Sequence, residues 1–258
     1  MPLKNFLKKK FKPLEGVIYL FFYNLKILFS GEWHRRKMIS TQMFKQILFT
    51  GIDALPLILF SAFLVGFIVI AQSIVYLPQI GGNEYIGKVL AFVIREIGPI
   101  VIMFIIIGRS GNAVSVEMAN MKLNGEIFYL EKILKIDGFL FLMFPRFIGF
   151  VIAILCLSVF FNVFTILTGY ISALFFIYSP IGVFLEKLLQ SITIVDMIVW
   201  IIKILVFGMI ISLVAFYQGV SIENTVREVP RVTTRCFIQA MTYCLVVDAV
   251  ITFIVIFI

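Results

Sequence analysis

Five long stretches of almost unbroken apolar side chains punctuate the chain, at about 51–77, 88–116, 147–173, 195–217 and 236–258. Each reaches the roughly 20 residues that a helix needs to cross a ~30 Å hydrocarbon layer. The second stretch is longer than a bilayer requires, so it must tilt, kink or project beyond the membrane. A membrane barrel would show alternating segments of about 10 residues instead. The pattern predicts an all-α, polytopic integral membrane protein with five transmembrane helices. Pro78 to Asn83 reads as a short turn. The stretch Phe175–Leu189 is only moderately apolar and holds Pro180 and Glu186, so it reads as either a short external helix or a re-entrant piece. No internal repeat marks an inverted-repeat transporter, and residues 1–258 read as one domain.

The N-terminal segment differs. Residues 1–45 are basic, and within them 13–30 form an apolar run interrupted by Glu15, Asn24 and Lys26. No small-x-small cleavage site follows it, and it is short for a span. An amphipathic helix lying at the interface fits this composition, with a true span as the competing reading. Ten of the 22 Lys and Arg fall in residues 1–45, a second cluster is Lys122, Lys132, Lys135 and Arg146, and a third is Arg227, Arg231 and Arg235. The connections 78–87 and 174–194 carry almost none beyond Lys88 and Lys187. The positive-inside rule then predicts a cytoplasmic N-terminus and an external C-terminus.

Composition sharpens the class. The 258 residues are 62% hydrophobic and 14% charged, against about a quarter charged in soluble domains. The net charge of +8 is divided among short loops between apolar spans, which suits anionic headgroups and not nucleic acid. The three cysteines, Cys156, Cys236 and Cys244, lie in or beside apolar stretches without metal-ligand spacing, and the single histidine, His34, has no neighbouring ligand. No metal site is expected. Without a nucleophile–histidine–acid set or a convincing carboxylate pair, intrinsic enzyme activity is not expected either.

Candidate chemistry lies in charges placed inside the spans. Arg95 and Glu96 are consecutive, so on a regular helix they point about 100° apart and need not pair. Lys203 sits at a similar depth in the fourth span, which makes a Glu96–Lys203 pair between spans plausible. Buried charge of this kind is either a structural lock or a charged gate beside a substrate cavity. Gly98-Pro99 follows directly, and Pro99 removes the helical bond to Arg95, so a kink or hinge is expected there. Gly108-Arg109-Ser110-Gly111 permits close helix approach; Arg109 and Glu117 lie near one face, and assembly is the favoured role. Asp248 lies deep in the last span and needs a donor, while Arg227, Arg231 and Arg235 share one helical face. Asp53, Gln72 and Asn162 are further polar groups in or beside spans. Between Glu117 and Asp137, charges alternate with Ile127, Phe128, Tyr129, Leu130 and Ile133 in the manner of an amphipathic helix. Such a helix docks on a partner or lies on its own membrane. No GxxxxGK[ST] phosphate loop occurs anywhere.

The ordered motifs Arg95-Glu96-Ile97-Gly98-Pro99, Gly108-Arg109-Ser110-Gly111, Glu117 to Lys122, Phe144-Pro145-Arg146, Lys203 to Gly208, and Thr233-Thr234-Arg235 with Asp248 resemble the MlaE/YrbE permease family over about Gln42 to the C-terminus. Departures are local: Val116-Glu117-Met118-Ala119 replaces Ala-Glu-Leu-Gly, and Gly125 to Leu130 lacks the acidic Asp of the family's EQIDAL element. The resemblance implies the permease subunit of a lipid ABC transporter, a homodimer in the bacterial inner membrane. It moves phospholipid between inner and outer membranes to maintain outer-membrane asymmetry. It also implies a cytoplasmic ABC ATPase dimer, an external MCE-domain hexamer and room for a cytoplasmic STAS-domain protein. ATP and Mg would belong to the partner ATPase, with no cofactor in this chain. Arg95, Glu96, Gly98, Pro99 and Lys203 would line a lipid cavity or gate. A coupling region at about 117–140 would include Glu117, Lys122, Glu126, Tyr129 and Leu130. Gly108, Arg109, Gly111, Arg235 and Asp248 would serve assembly. An ATPase-independent transporter or channel, or a membrane scaffold, is the alternative.

Overall fold

The computed structural model describes residues 13–30, 37–76, 86–132, 139–177, 181–222 and 226–257. Among them, all regular structure is helical. Helix α1 spans Pro13–Ser30, α2 Lys37–Gly51, α3 Leu55–Tyr76, α4 Ile86–Phe92, α5 Gly98–Ile106, α6 Asn112–Leu123, α7 Glu126–Lys132, α8 Phe144–Ile177, α9 Ile181–Ser191, α10 Ile194–Val220 and α11 Val229–Phe257. A single 3-10 turn, Ile52–Ala54, joins α2 to α3. Wide π-turns at Val93–Ile97 and Ile107–Gly111 join α4, α5 and α6 into one continuous rod.

Five helices are long and apolar enough to cross a membrane: Ser40–Tyr76, Gly87–Leu123, Phe141–Phe176, Ile194–Val220 and Val229–Phe257. They extend past the apolar stretches that mark them in the sequence. The first begins at Ser40 and not Gly51, and the fifth at Val229 and not Cys236. Backbone hydrogen bonding does not stop where the apolar run stops, so polar residues such as Lys45 and Gln46 belong to the same helix. The His34 position and the turn at 78–83 lie outside the described residues.

Small residues set the central contact. On α3, Ile58, Ala62, Gly66 and Ile70 recur every four residues and are all buried, because this face packs along α8. At Gly66 an added Cβ would lie 2.6 Å from the carbonyl oxygen of Thr165 and would also strike Thr168. Only glycine permits that backbone approach, which in a membrane replaces the missing hydrophobic drive with dispersion contact. Helix α10 is buried on every side from Ile211 to Phe216; α1, α6, α8 and α11 all pack on it. Helix α11 instead leaves Ile238, Val246, Val250, Phe253 and Ile254 exposed.

Helix α1 docks one face through Leu20 and Asn24, whose Nδ2 donates to the Leu20 carbonyl at 2.9 Å, and leaves Leu14, Ile18 and Phe22 exposed on the other. The segment read as either a short helix or a re-entrant piece contains a helix, α9, whose Phe184 and Leu188 join Ile70, Ile74 and Leu90 in a small apolar cluster. The amphipathic stretch expected between Glu117 and Asp137 divides: α6 runs on to Leu123, and a separate helix, α7, starts at Glu126. Gly125 between them has φ of 76°, a left-handed conformation that glycine adopts without strain and that ends helices. Its amide donates to the Lys122 carbonyl at 3.1 Å. Residues 133–138 of that expected helix lie outside the described residues.

The Gly66 contact gives a direct test. Gly66→Leu should destabilise the protein in detergent by about 1–3 kcal/mol through overpacking, read as a lower midpoint in chemical denaturation. Gly182→Ala in α9, where nothing lies within 4 Å of the new methyl, should leave the midpoint unchanged.

Candidate functional site

The charged cluster begins with a local backbone event. Pro99 has no amide to give the Arg95 carbonyl, so a regular helix cannot pass through it undisturbed. The chain widens by one turn instead: Val93–Ile97 is π-helical and the Gly98 amide reaches back to the Val93 carbonyl. Proline then sits in the first turn of α5, where its missing amide is tolerated. The hinge expected at Gly98-Pro99 therefore takes the form of a widened turn in an unbroken rod. Such π-turns occur often at functional positions.

Within that turn the two neighbours meet. Arg95 Nε lies 3.0 Å from Glu96 Oε1, and Arg95 Nη1 lies 2.7 Å from Asp196 Oδ1. Glu96 Oε2 takes Lys203 Nζ in a short ion pair and the Thr252 hydroxyl at 3.0 Å. Lys203 Nζ also donates to Thr252 Oγ1 at 2.8 Å and contacts Asp248 Oδ1 at 2.9 Å. Asp196 serves twice, since it also closes the capping box of α10 with Thr193. The result is one chain of charges, Asp196–Arg95–Glu96–Lys203–Asp248, built from three spans. Lys203 has no exposed side-chain surface, whereas the Arg95 side chain keeps 28% of its own. The Glu96–Lys203 pair was legible in the depth of the two residues. The role of Lys203 as donor to Asp248 and the entry of Asp196 and Thr252 were not, because α10 and α11 had no relative rotation until packed.

A guanidinium carries five N–H donors in a fixed fork. Arg95 directs Nε and Nη1 at carboxylates, which leaves donors at its partly open edge. The spans that carry the cluster also expose apolar side chains, among them Phe92, Ile198, Ile202 and Phe253. The arrangement can hold a group with a charged head and an apolar body.

The assembly candidates divide. Arg109 contacts Asp53 Oδ2 at 3.0 Å and the Phe49 carbonyl at 3.2 Å, and its guanidinium lies over the Phe49 ring. It ties the second span to the α2–α3 junction and does not pair with Glu117. Gly111 packs on Ile211, while Gly108 is only loosely approached. Arg235 is exposed and makes no ion pair among the described residues.

The opposite end of the bundle holds a cavity of about 800 Å³ lined by Glu117, Glu126, Phe128, Tyr129, Leu130 and Arg146, among others. Glu117 is fixed by Arg146 Nη2 at 2.6 Å. Phe128 and Tyr129 are exposed on its rim. Lys122 does not face outward: its Nζ donates to the carbonyls of Val220 and Ile222 at 2.8 and 2.5 Å, at the C-terminal end of α10. Positive charge there complements the helix dipole. Among the described residues no group of His, Cys, Asp and Glu is placed to hold a metal ion.

A family model described as Permease MlaE matches residues 43–254. A probable ABC transporter permease protein of Rickettsia typhi is 27% identical over 209 residues, covering 81% of this chain and 80% of that protein. The intermembrane phospholipid transport system permease protein MlaE of Haemophilus influenzae is 26% identical over 210 residues, covering 81% of this chain and 80% of its own. The chloroplast protein trigalactosyldiacylglycerol 1 of Arabidopsis thaliana is 26% identical over 234 residues, covering 88% of this chain and 63% of that one.

The enclosure of Lys203 makes a quantitative claim. Lys203→Met should cost about 3–5 kcal/mol in denaturation, because it strands buried carboxylates. Adding Glu96→Gln and Asp248→Asn to it should recover a large part of that loss. Arg109→Met, whose partner Asp53 is half exposed, should cost under about 1 kcal/mol.

Proposed function

The chain belongs to the MlaE permease family, and from that premise we propose that it is the membrane subunit of an ATP-driven transporter that moves phospholipid between the inner and outer membranes of a bacterium. The observation that carries this reading is the charge chain Asp196–Arg95–Glu96–Lys203–Asp248, enclosed at Lys203 and partly open at Arg95. A lipid has two parts. Its phosphate suits the remaining donors of Arg95, and its acyl chains suit the Phe, Ile and Val side chains that the spans expose. The Haemophilus relative, by its name, works in intermembrane phospholipid transport.

In this reading the N-terminus is cytoplasmic, the charged cluster lies toward the external side, and two copies face each other around the lipid. The homodimer interface draws on the exposed apolar faces of the spans. A pair of ABC ATPase subunits docks at the cytoplasmic cavity around Glu126, Phe128 and Tyr129. An MCE-domain hexamer receives or delivers lipid on the external side, and a STAS-domain protein joins the ATPases. ATP is hydrolysed in the partner; this chain supplies the path. Glu117 and Lys122 act from inside the coupling region, because Arg146 and the end of α10 hold them.

The complete burial of Lys203 also favours a narrower role, in which its pairs with Glu96 and Asp248 lock the closed state and only Arg95 meets the lipid.

Two outcomes test the proposal in complexes reconstituted between donor and acceptor vesicles. Glu96→Gln and Lys203→Ala should lower lipid transfer about tenfold, within the range of 1–3 kcal/mol couplings, with the ATPase subunits still co-purifying. Tyr129→Ala with Glu126→Ala should reduce ATPase co-purification instead. Normal transfer in both cluster variants sinks the lipid-path reading.

A further inference from the structure

A second polar cavity, of about 310 Å³, lies where α10 ends and α11 begins. Gln218, Ser221, Glu228, Arg231 and Arg235 supply its polar lining. It is at the far end of α10 from the Arg95 cluster. We propose that this cavity is a binding site for the headgroup of an anionic phospholipid of the adjoining leaflet, separate from the transport path.

Four observations converge on that ligand. First, Arg231 and Arg235 are one helical turn apart, both exposed, and neither guanidinium has an ion-pair partner among the described residues. Second, among the described lining residues two guanidiniums stand against one carboxylate, Glu228, so positive charge is in excess, which suits an anionic headgroup. Third, the carbonyl end of α10, which would repel an anion, is occupied by Lys122 Nζ through the Val220 and Ile222 carbonyls. Fourth, the face that carries Arg231 and Arg235 continues along α11 through Ile238, Thr242 and Val246, all exposed. A charged head at Arg235 therefore leads directly onto an apolar stripe. Free phosphate would use the first part of this surface and not the second. Basic pockets between membrane helices are a recurrent way to hold anionic headgroups.

The buried floor gives the cavity shape. Gln218 is buried and its Nε2 donates to Gln239 Oε1, so the two amides fix each other. The neighbouring Ile222 and Val232 are buried against Ala119. This floor ties the end of α6 to the start of α11, so a lipid held here contacts the same elements that border the coupling region. The proposal does not rest on the transporter reading.

The test is native mass spectrometry of the intact complex released from nanodiscs of phosphatidylcholine containing a minor fraction of phosphatidylglycerol. The wild type should retain one phosphatidylglycerol per permease copy. Arg231→Gln with Arg235→Gln should weaken that retention about 25-fold, each surface arginine contributing about fivefold. Glu228→Gln should strengthen it, which a merely unfolded variant would not do. Unchanged retention in the double variant overturns the proposal. So does displacement of the lipid by millimolar inorganic phosphate, which would mark a free-phosphate site, and so does separation of the two permease copies in the double variant, which would mark an interface. Retention is read without ATP or transfer, so loss of the transport reading would leave this result standing.

Discussion

A lysine ammonium with no exposed surface, set among five membrane-spanning helices, is the constraint from which much of the architecture follows. Lys203 cannot be left unpaired in such surroundings, because uncompensated buried charge costs several kcal/mol. It meets Glu96 from the second span, and Asp248 and Thr252 from α11. Three helices are thereby fixed in both depth and rotation, since a shift of one residue in any of them would turn its partner about 100° away. Apolar packing alone gives no such register among chains of Ile, Val and Phe that are nearly interchangeable in volume. The charge chain is thus what makes one arrangement of these spans preferable to its neighbours.

The same chain depends on a backbone irregularity. On a regular helix Arg95 and Glu96 would point about 100° apart, yet here Arg95 meets both Glu96 and Asp196. The π-turn at Val93–Ile97 gathers them, and it exists because Pro99 removes a donor four residues later. Proline here does not break the span; it turns a local loss of one hydrogen bond into the placement of two charges. The second π-turn, Ile107–Gly111, similarly directs Arg109 toward Asp53 on the first span.

The spans were legible in the sequence because hydrocarbon thickness imposes a length that composition reveals at once. Their ends were not, since Lys45, Gln46 and Arg231 are as helical as the apolar residues they adjoin. Arg95, Glu96 and Lys203 announced themselves as charges out of place. Asp196 did not, because at the head of α10 it looks like an ordinary cap, and it is one as well. The break at Asn124-Gly125 was hidden by the amphipathic spacing on either side, although a glycine after a run of helix is a stop signal in its own right. Lys122 misled by its place in a polar segment: its target, the carbonyl end of α10, is nearly a hundred residues away in sequence.

That misplaced lysine changes how motion can cross the bundle. The rod from Gly87 to Leu123 and the helix α10 run in the same direction and are joined at both ends. Arg95–Asp196 and Glu96–Lys203 join them at one end, and Lys122 with the Val220 and Ile222 carbonyls joins them at the other. Between the ties, α6 packs directly on α10. A pair clamped in this way resists sliding and tends to move as one body. A push delivered at α7, just past the Gly125 break, would then displace Lys122, the end of α10 and the distant charge chain together, without any signal passed residue by residue. Had Lys122 pointed outward, as its neighbours suggest, the rod and α10 would be joined at one end only. A force applied at α7 would then reach Arg95 through the rod alone.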